Sequence, residues 1–230
     1  MVVKAHRNGR VLLSSRVLDL STKLLRELDE DEMVYCHLSY RGRERSKDNL
    51  VISCLDGIET EMRQARGVRV TSKYAPLLAG FAILDQIGSC YADLDKPPHP
   101  QAGSAIHRAL YYFMGLNAMS AEVKALYALR NGLVHDASLT CKTAAGDWYI
   151  FRYQDTLASS IKLAQRPWNG SIADLSDDTL TLVNPRHFTD QISAALVALR
   201  KCHVERPDKL KVLISPEDIL LKYLFWHPIE

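Results

Sequence analysis

The residues best equipped for chemistry lie close together in Leu126-Tyr127-Ala128-Leu129-Arg130-Asn131-Gly132-Leu133-Val134-His135. On a helix advancing about 100° per residue, Leu126, Leu129 and Leu133 fall in one narrow sector that faces the core. Tyr127, Asn131 and His135 follow at i, i+4 and i+8 on the side away from those leucines. Arg130 lies beside that line, with a side chain long enough to swing towards it. An imidazole that titrates near neutrality can take a proton from a ribose 2′-hydroxyl and return one to the leaving oxygen. A permanently charged guanidinium can stabilise the extra negative charge on the phosphate as the transition state forms. Asn131 can fix the orientation and tautomer of the ring, and Tyr127 adds a phenol to the same line. The set suits phosphodiester chemistry with no cofactor and no metal. One helix supplies only half of an acid–base pair, so a homodimer through the motif helix is expected to complete it.

Arg130-Asn131-Gly132-Leu133-Val134-His135 resembles the R-x4-6-H motif of the HEPN superfamily, including the polar residue favoured directly after the arginine. Leu126-Tyr127 before it and Asp136 to Leu139 after it extend the likeness. The resemblance implies a dimeric α-helical protein and a metal-independent endoribonuclease of the kind found in toxin–antitoxin, phage-defence and RNA-processing systems. It implies Arg130 and His135 as the catalytic pair, Asn131 as their helper, RNA as substrate, and an antitoxin or defence protein as partner. Tyr127 stands with Asn131 as a supporting or substrate-binding residue. Some HEPN proteins are not catalytic, and the alternative is a non-catalytic HEPN-type nucleotide-binding or protein-interaction module. A plainer reading places His135 in a helix C-terminal turn, capping carbonyls at the negative end of the dipole.

The elements that must position these groups are expected to be mainly helical. Arg16 to Leu28 carries apolar and charged residues at helical spacing and ends in the acidic cluster Asp29 to Glu32. The basic stretch from Arg41 then leads to a helix over about Asp48 to Arg66, with Leu50, Cys54, Ile58 and Met62 repeating every four residues. Lys73 to Leu94 reads as the most apolar helix, with Pro76 in its first turn and a close contact at Gly88 and Ser89. Asp95 to Gly103 is a proline-rich loop, followed by helices over Ser104 to Gly115 and Ser120 to about Asp136. Ala137 to Cys141, Trp148 to Tyr153 and Leu180 to Val183 are β-prone; Pro185 then opens a helix to about His203, and Ser215 begins a last amphipathic one. The expectation is one α-rich domain over 1–230: a HEPN-like antiparallel helical bundle over 12–136, a small β excursion over about 137–184, and C-terminal helices over 185–230.

Composition narrows the class without naming a function. Apolar residues make up 47% and charged residues 24% of 230, which excludes wholesale disorder. Lys and Arg number 29 against 27 Asp and Glu, so charge alone predicts neither nucleic-acid nor membrane binding. The five cysteines never fall as C-x-x-C, which argues against a disulfide scaffold and a structural zinc site. The N-terminal MVVKAHRNGR lacks a following apolar stretch, so no signal peptide is expected; no run is long enough to span a bilayer, and a cytoplasmic location is expected. Arg41, Arg43, Arg45 and Lys47, with Arg63, Arg66 and Arg69, offer a phosphate-binding surface, but interspersed Glu44, Asp48, Glu59 and Glu61 favour a solvated charged face. His99, His107, Cys202-His203 and Asp177-Asp178 lack partners at metal-ligand spacing. Trp148, Tyr149, Phe151 and Tyr153 on one strand either stack bases or pack on helices, and packing is the more common outcome.

Overall fold

A computed structural model describes residues 18–39, 41–100 and 104–229. The first residues of the expected bundle and of the Arg16–Leu28 helix, together with the N-terminal segment weighed as a signal peptide, lie outside the described residues.

The most apolar segment forms α3 (Tyr74–Cys90), and the other elements assemble around it. Leu77, Phe81, Ile83, Leu84 and Ile87 are all fully buried, so α3 is apolar on most sides because it is covered on most sides. Each such side chain contributes about 1.5–3 kcal/mol relative to exposure. Pro76 sits in its first turn, where no intrahelical N–H is lost. α2 (Cys54–Gly67) and α4 (Ala105–Tyr112) flank it, and α6 (Pro185–Glu205) crosses it with Phe188 against Phe81, ring centroids 5.2 Å apart. The close contact expected at Gly88 is with α4: a Cβ there would stand 1.9 Å from the Ala105 carbonyl oxygen.

The expectation of a helical bundle with one small β excursion is overturned. The structure is 50% helical and 16% strand, and among the described residues the strands lie in three sheets, so the fold is mixed α/β. Two of those sheets form outside the expected excursion. The basic stretch after Arg41 is a hairpin of β1 (Arg43–Arg45) and β2 (Asn49–Ser53), and the chain returns at its end as β9 (Leu224–Pro228) beside β2. All three strands are antiparallel, in the order β1-β2-β9. β3 (Tyr91–Asp93), at the end of α3, pairs antiparallel with β8 (Leu210–Val212). The third sheet falls where β structure was expected. It has the order β4 (Thr140–Lys142), β5 (Trp148–Tyr153), β7 (Thr181–Val183), β6 (Ile161–Lys162), with β5 and β7 parallel.

Helix boundaries also shift for local reasons. Asp29 to Glu32 does not end a helix but opens α1 (Glu30–Leu38): the Asp29 carboxylate accepts the Glu32 N–H at 3.0 Å, and the Glu32 carboxylate accepts the Asp29 N–H at 3.0 Å. Leu25–Glu27 is only a single 3-10 turn. Leu50 belongs to β2 rather than to the stripe of α2, whose buried residues are Leu55, Glu59 and Met62. The C-terminal amphipathic segment is α7 (Pro216–Tyr223), and it gives way to β9 at Leu224. Among the described residues, no helix is long and apolar enough to cross a membrane.

Candidate active site

The motif helix is α5 (Ala121–Asp136), capped at its start by Ser120, whose Oγ accepts the Val123 N–H at 3.2 Å. Val123, Leu126, Leu129 and Leu133 are buried against α3 and α4, so the polar residues of the motif come out on the far side. Gly132 lies where the chain returns from the helix. A Cβ there would be 2.8 Å from the Ser138 carbonyl oxygen and 3.2 Å from that of Thr140, so its absence lets β4 close onto α5.

Three of the four expected site residues come together. Arg130 Nη1 donates to Asn131 Oδ1 at 3.2 Å and to His135 Nε2 at 3.0 Å. A guanidinium can only donate, so in this contact Nε2 is the acceptor. Asn131 therefore steadies the imidazole through Arg130 rather than by direct contact. His135 is exposed and Arg130 and Asn131 are half-buried, so the trio stands at the surface with its base open to solvent. Tyr127 does not join it. Its ring packs on His107 of α4, centroids 4.5 Å apart, and burial followed by the nearby His99 lowers the pKa of His107.

His135 does not cap the helix. Ala137 adopts a left-handed conformation (φ 49°), and the N–H groups of Ala137 and Ser138 both point to the Gly132 carbonyl. That carbonyl of the last turn is satisfied by backbone, and the ring contacts Arg130 instead.

A fourth residue enters from α3. Arg130 Nη2 donates to Asp85 Oδ2 at 2.8 Å, with the two side chains 20% and 36% exposed, so the motif guanidinium ties α5 to α3. Arg130 Nε is buried and has no hydrogen-bond partner among the described residues, so the guanidinium is not saturated. In the sequence Asp85 figures only as the residue that stops the apolar run from Tyr74. A lone carboxylate on an otherwise apolar helix was the available signal. Asp85 also borders a groove of about 670 Å³ between α2 and α3, whose lining includes Lys222, Tyr223 and Phe225. The C-terminal segment thus returns next to the motif.

Most of the remaining sequence candidates are engaged elsewhere. Arg63 pairs with buried Glu59, and Arg66 with Asp190 at 2.6 Å. Arg43 and Arg45 stand on the exposed face of β1. His203 Nε2 lies 3.3 Å from Asp31 Oδ1, and Asp177 lies 3.5 Å from Arg152. Comparison of the chain with family models, with curated proteins and with solved structures gives no match.

Proposed function

We propose that the chain is a HEPN-type, metal-independent endoribonuclease of the cytoplasm, acting as a homodimer through α5 on RNA in a defence or toxin–antitoxin setting. The observation that carries this reading is the Arg130–His135 contact: an exposed imidazole held 3.0 Å from a guanidinium, at a helix end that does not use it as a cap. His135 Nε2 takes the proton of the ribose 2′-hydroxyl, and that oxygen attacks phosphorus. The P–O5′ bond breaks, and the leaving oxygen takes its proton from His135 of the second subunit, which enters the step as imidazolium, released from its own Arg130, and leaves it as neutral imidazole. Arg130 moves from His135 to the non-bridging phosphate oxygens as charge builds on them. The products are a 2′,3′-cyclic phosphate and a 5′-hydroxyl.

The test is cleavage of single-stranded RNA by purified protein in excess chelator. Cyclic-phosphate ends are expected, with His135→Ala slower by about 10²–10⁴-fold. No cleavage, or equal cleavage by His135→Ala, overturns the reading.

One observation favours a second reading, the non-catalytic nucleotide-binding or protein-interaction module. The Asp85 carboxylate already occupies Arg130 and would repel a phosphate at the same nitrogen. There the Asp85–Arg130–His135 chain acts as a tie between helices. Arg130→Ala then lowers the melting temperature, while no RNA is turned over by either protein.

A further inference from the structure

Two of the three tryptophans, Trp148 and Trp168, converge on a surface cleft of about 360 Å³ between the start of α5 and the β5–β7 side of the third sheet. This size lies within the ordinary range of small-molecule sites, about 300–1,000 Å³. The indoles stand edge to face with centroids 5.7 Å apart, and a main-chain bridge links the same two residues. Their positions are fixed individually: Gly170 packs against the Trp148 ring, and Trp168 Nε1 donates to the Ser171 carbonyl at 2.9 Å. Trp168 is buried, 9% exposed, and backs the cleft edge-on, so the open part of the wall is Trp148 and its neighbours. Trp148 is half-buried, and Leu163, which also lines the cleft, remains 38% exposed.

The polar groups around that wall are cationic or hydrogen-bonding. Lys124, on the first turns of α5, lines the cleft and forms no ion pair with any described residue. Lys142 Nζ lies 5.3 Å from the Trp148 ring centroid. Gln165 and Thr181 offer amide and hydroxyl groups, while Asp147 is the only carboxylate in the lining and Arg166 is held by Asp174 at 2.8 Å. An aromatic wall with a free ammonium at its edge matches a planar base that carries an anion. On α5, Lys124, Asn131 and His135 follow at i, i+7 and i+11, which places them on one face, with Lys124 about 10 Å along the axis from Asn131.

We infer that this cleft binds a nucleobase through the Trp148–Trp168 wall and its phosphate through Lys124, the base being carried either by a free nucleotide or by a nucleic-acid strand. The inference stands on the cleft alone and holds whether or not Arg130 and His135 cleave RNA.

The experiment reads tryptophan fluorescence in a Trp226→Phe background, which leaves only the two cleft indoles. AMP, GMP, CMP and UMP are titrated beside ribose 5-phosphate, which has the phosphate without the base, and a short deoxyoligonucleotide, which has no 2′-hydroxyl to be cut. A saturable signal is expected with at least one nucleotide and none with ribose 5-phosphate. Lys124→Glu, a change at an exposed position, is expected to weaken binding about tenfold. Leu163→Asp, also at the surface, should weaken it without touching the ammonium. An oligonucleotide that binds more tightly than the monophosphate identifies a strand, and equal or weaker binding identifies the free nucleotide. The inference is overturned if no nucleotide gives a saturable change at millimolar concentration, if ribose 5-phosphate acts equally, or if Lys124→Glu binds as the parent does. None of these readouts depends on cleavage, so failure here is separate from failure of the ribonuclease reading.

Discussion

Arg130 of α5 donates through Nη2 to the Asp85 carboxylate of α3 at 2.8 Å while Nη1 remains 3.0 Å from His135 Nε2, so one guanidinium joins a carboxylate, an imidazole and two helices. The pair is too exposed to contribute much more than about 1 kcal/mol as an ion pair. Its larger effect is on what Arg130 can bind. Asp85→Asn keeps the shape and removes the charge, so the guanidinium becomes available to a phosphate. Single-stranded RNA should then bind more tightly, and the slope of log K against log salt should steepen by about 0.7. Anisotropy titrations at several salt concentrations measure both, and an unchanged slope would mean that no phosphate reaches Arg130.

A second prediction concerns acid. His37 is wholly buried between the rings of Tyr91 and Tyr223, at 5.6 and 5.4 Å, with Nδ1 2.6 Å from the Tyr91 hydroxyl. Burial pushes its pKa from 6.5 down to about 4, with the neighbouring Gln86 side chain opposing and the charge of Arg200 adding to the fall. Unfolded, the imidazole takes up a proton near pH 6.5; folded, it stays neutral until about pH 4. The stability it supports is therefore complete above the unfolded value and is lost as pH falls from there towards the folded one. The loss is on the order of 3 kcal/mol. Urea unfolding between about pH 7.5 and 4.5 should show this slope in the parent, and a shallower one in His37→Gln.

How much of this was legible depended on how local each signal was. The limits of α5, its Ser120 cap and the strand Trp148–Tyr153 follow from caps and periodicity within a few residues. The start of α1 was equally local, since Asp29 and Glu32 form a capping box, but the apolar spacing before it suggested a helix that ended there. The four-residue repeat from Leu50 to Met62 misled because β2 runs straight into α2 without a turn. β2 is recognisable only by its partner β9, with Leu50 opposite His227. The same holds at the site. Arg130, Asn131 and His135 share one helix and were visible, whereas Asp85 meets Arg130 only through the packing of α3 on α5.

A third prediction tests the buried ion pair that holds α2, α6 and the end of α1. Arg200 Nη1 donates to Glu59 Oε2 at 2.7 Å and Nε to the Leu38 carbonyl at 3.0 Å, with both side chains almost wholly enclosed. Glu59→Ala leaves the guanidinium charge without its carboxylate in the interior and should cost about 3–5 kcal/mol. Replacing both partners, Glu59→Leu with Arg200→Met, should recover most of that loss. If the double variant is as unstable as the single one, the cost comes from packing and not from an uncompensated charge.

The end of α5 gives a pair of substitutions whose expected effects reverse ordinary helix propensity. Gly132 lies inside the helix, where alanine normally gains about 1 kcal/mol. Here a Cβ would meet two backbone oxygens of the returning chain, at 2.8 and 3.2 Å, and backbone cannot step aside as a flexible side chain can. Gly132→Ala should therefore destabilise by roughly 1–3 kcal/mol. Ala137 is the converse case: it holds φ at 49°, the region that glycine occupies without a Cβ penalty. Ala137→Gly should stabilise by about 0.5–1 kcal/mol, seen as a rise of about 2–4 °C per kcal/mol in the melting temperature. A Gly132→Ala protein that melts higher than the parent would mean that β4 does not close on the helix as described. The reason given for a glycine between Arg130 and His135 would fall with it.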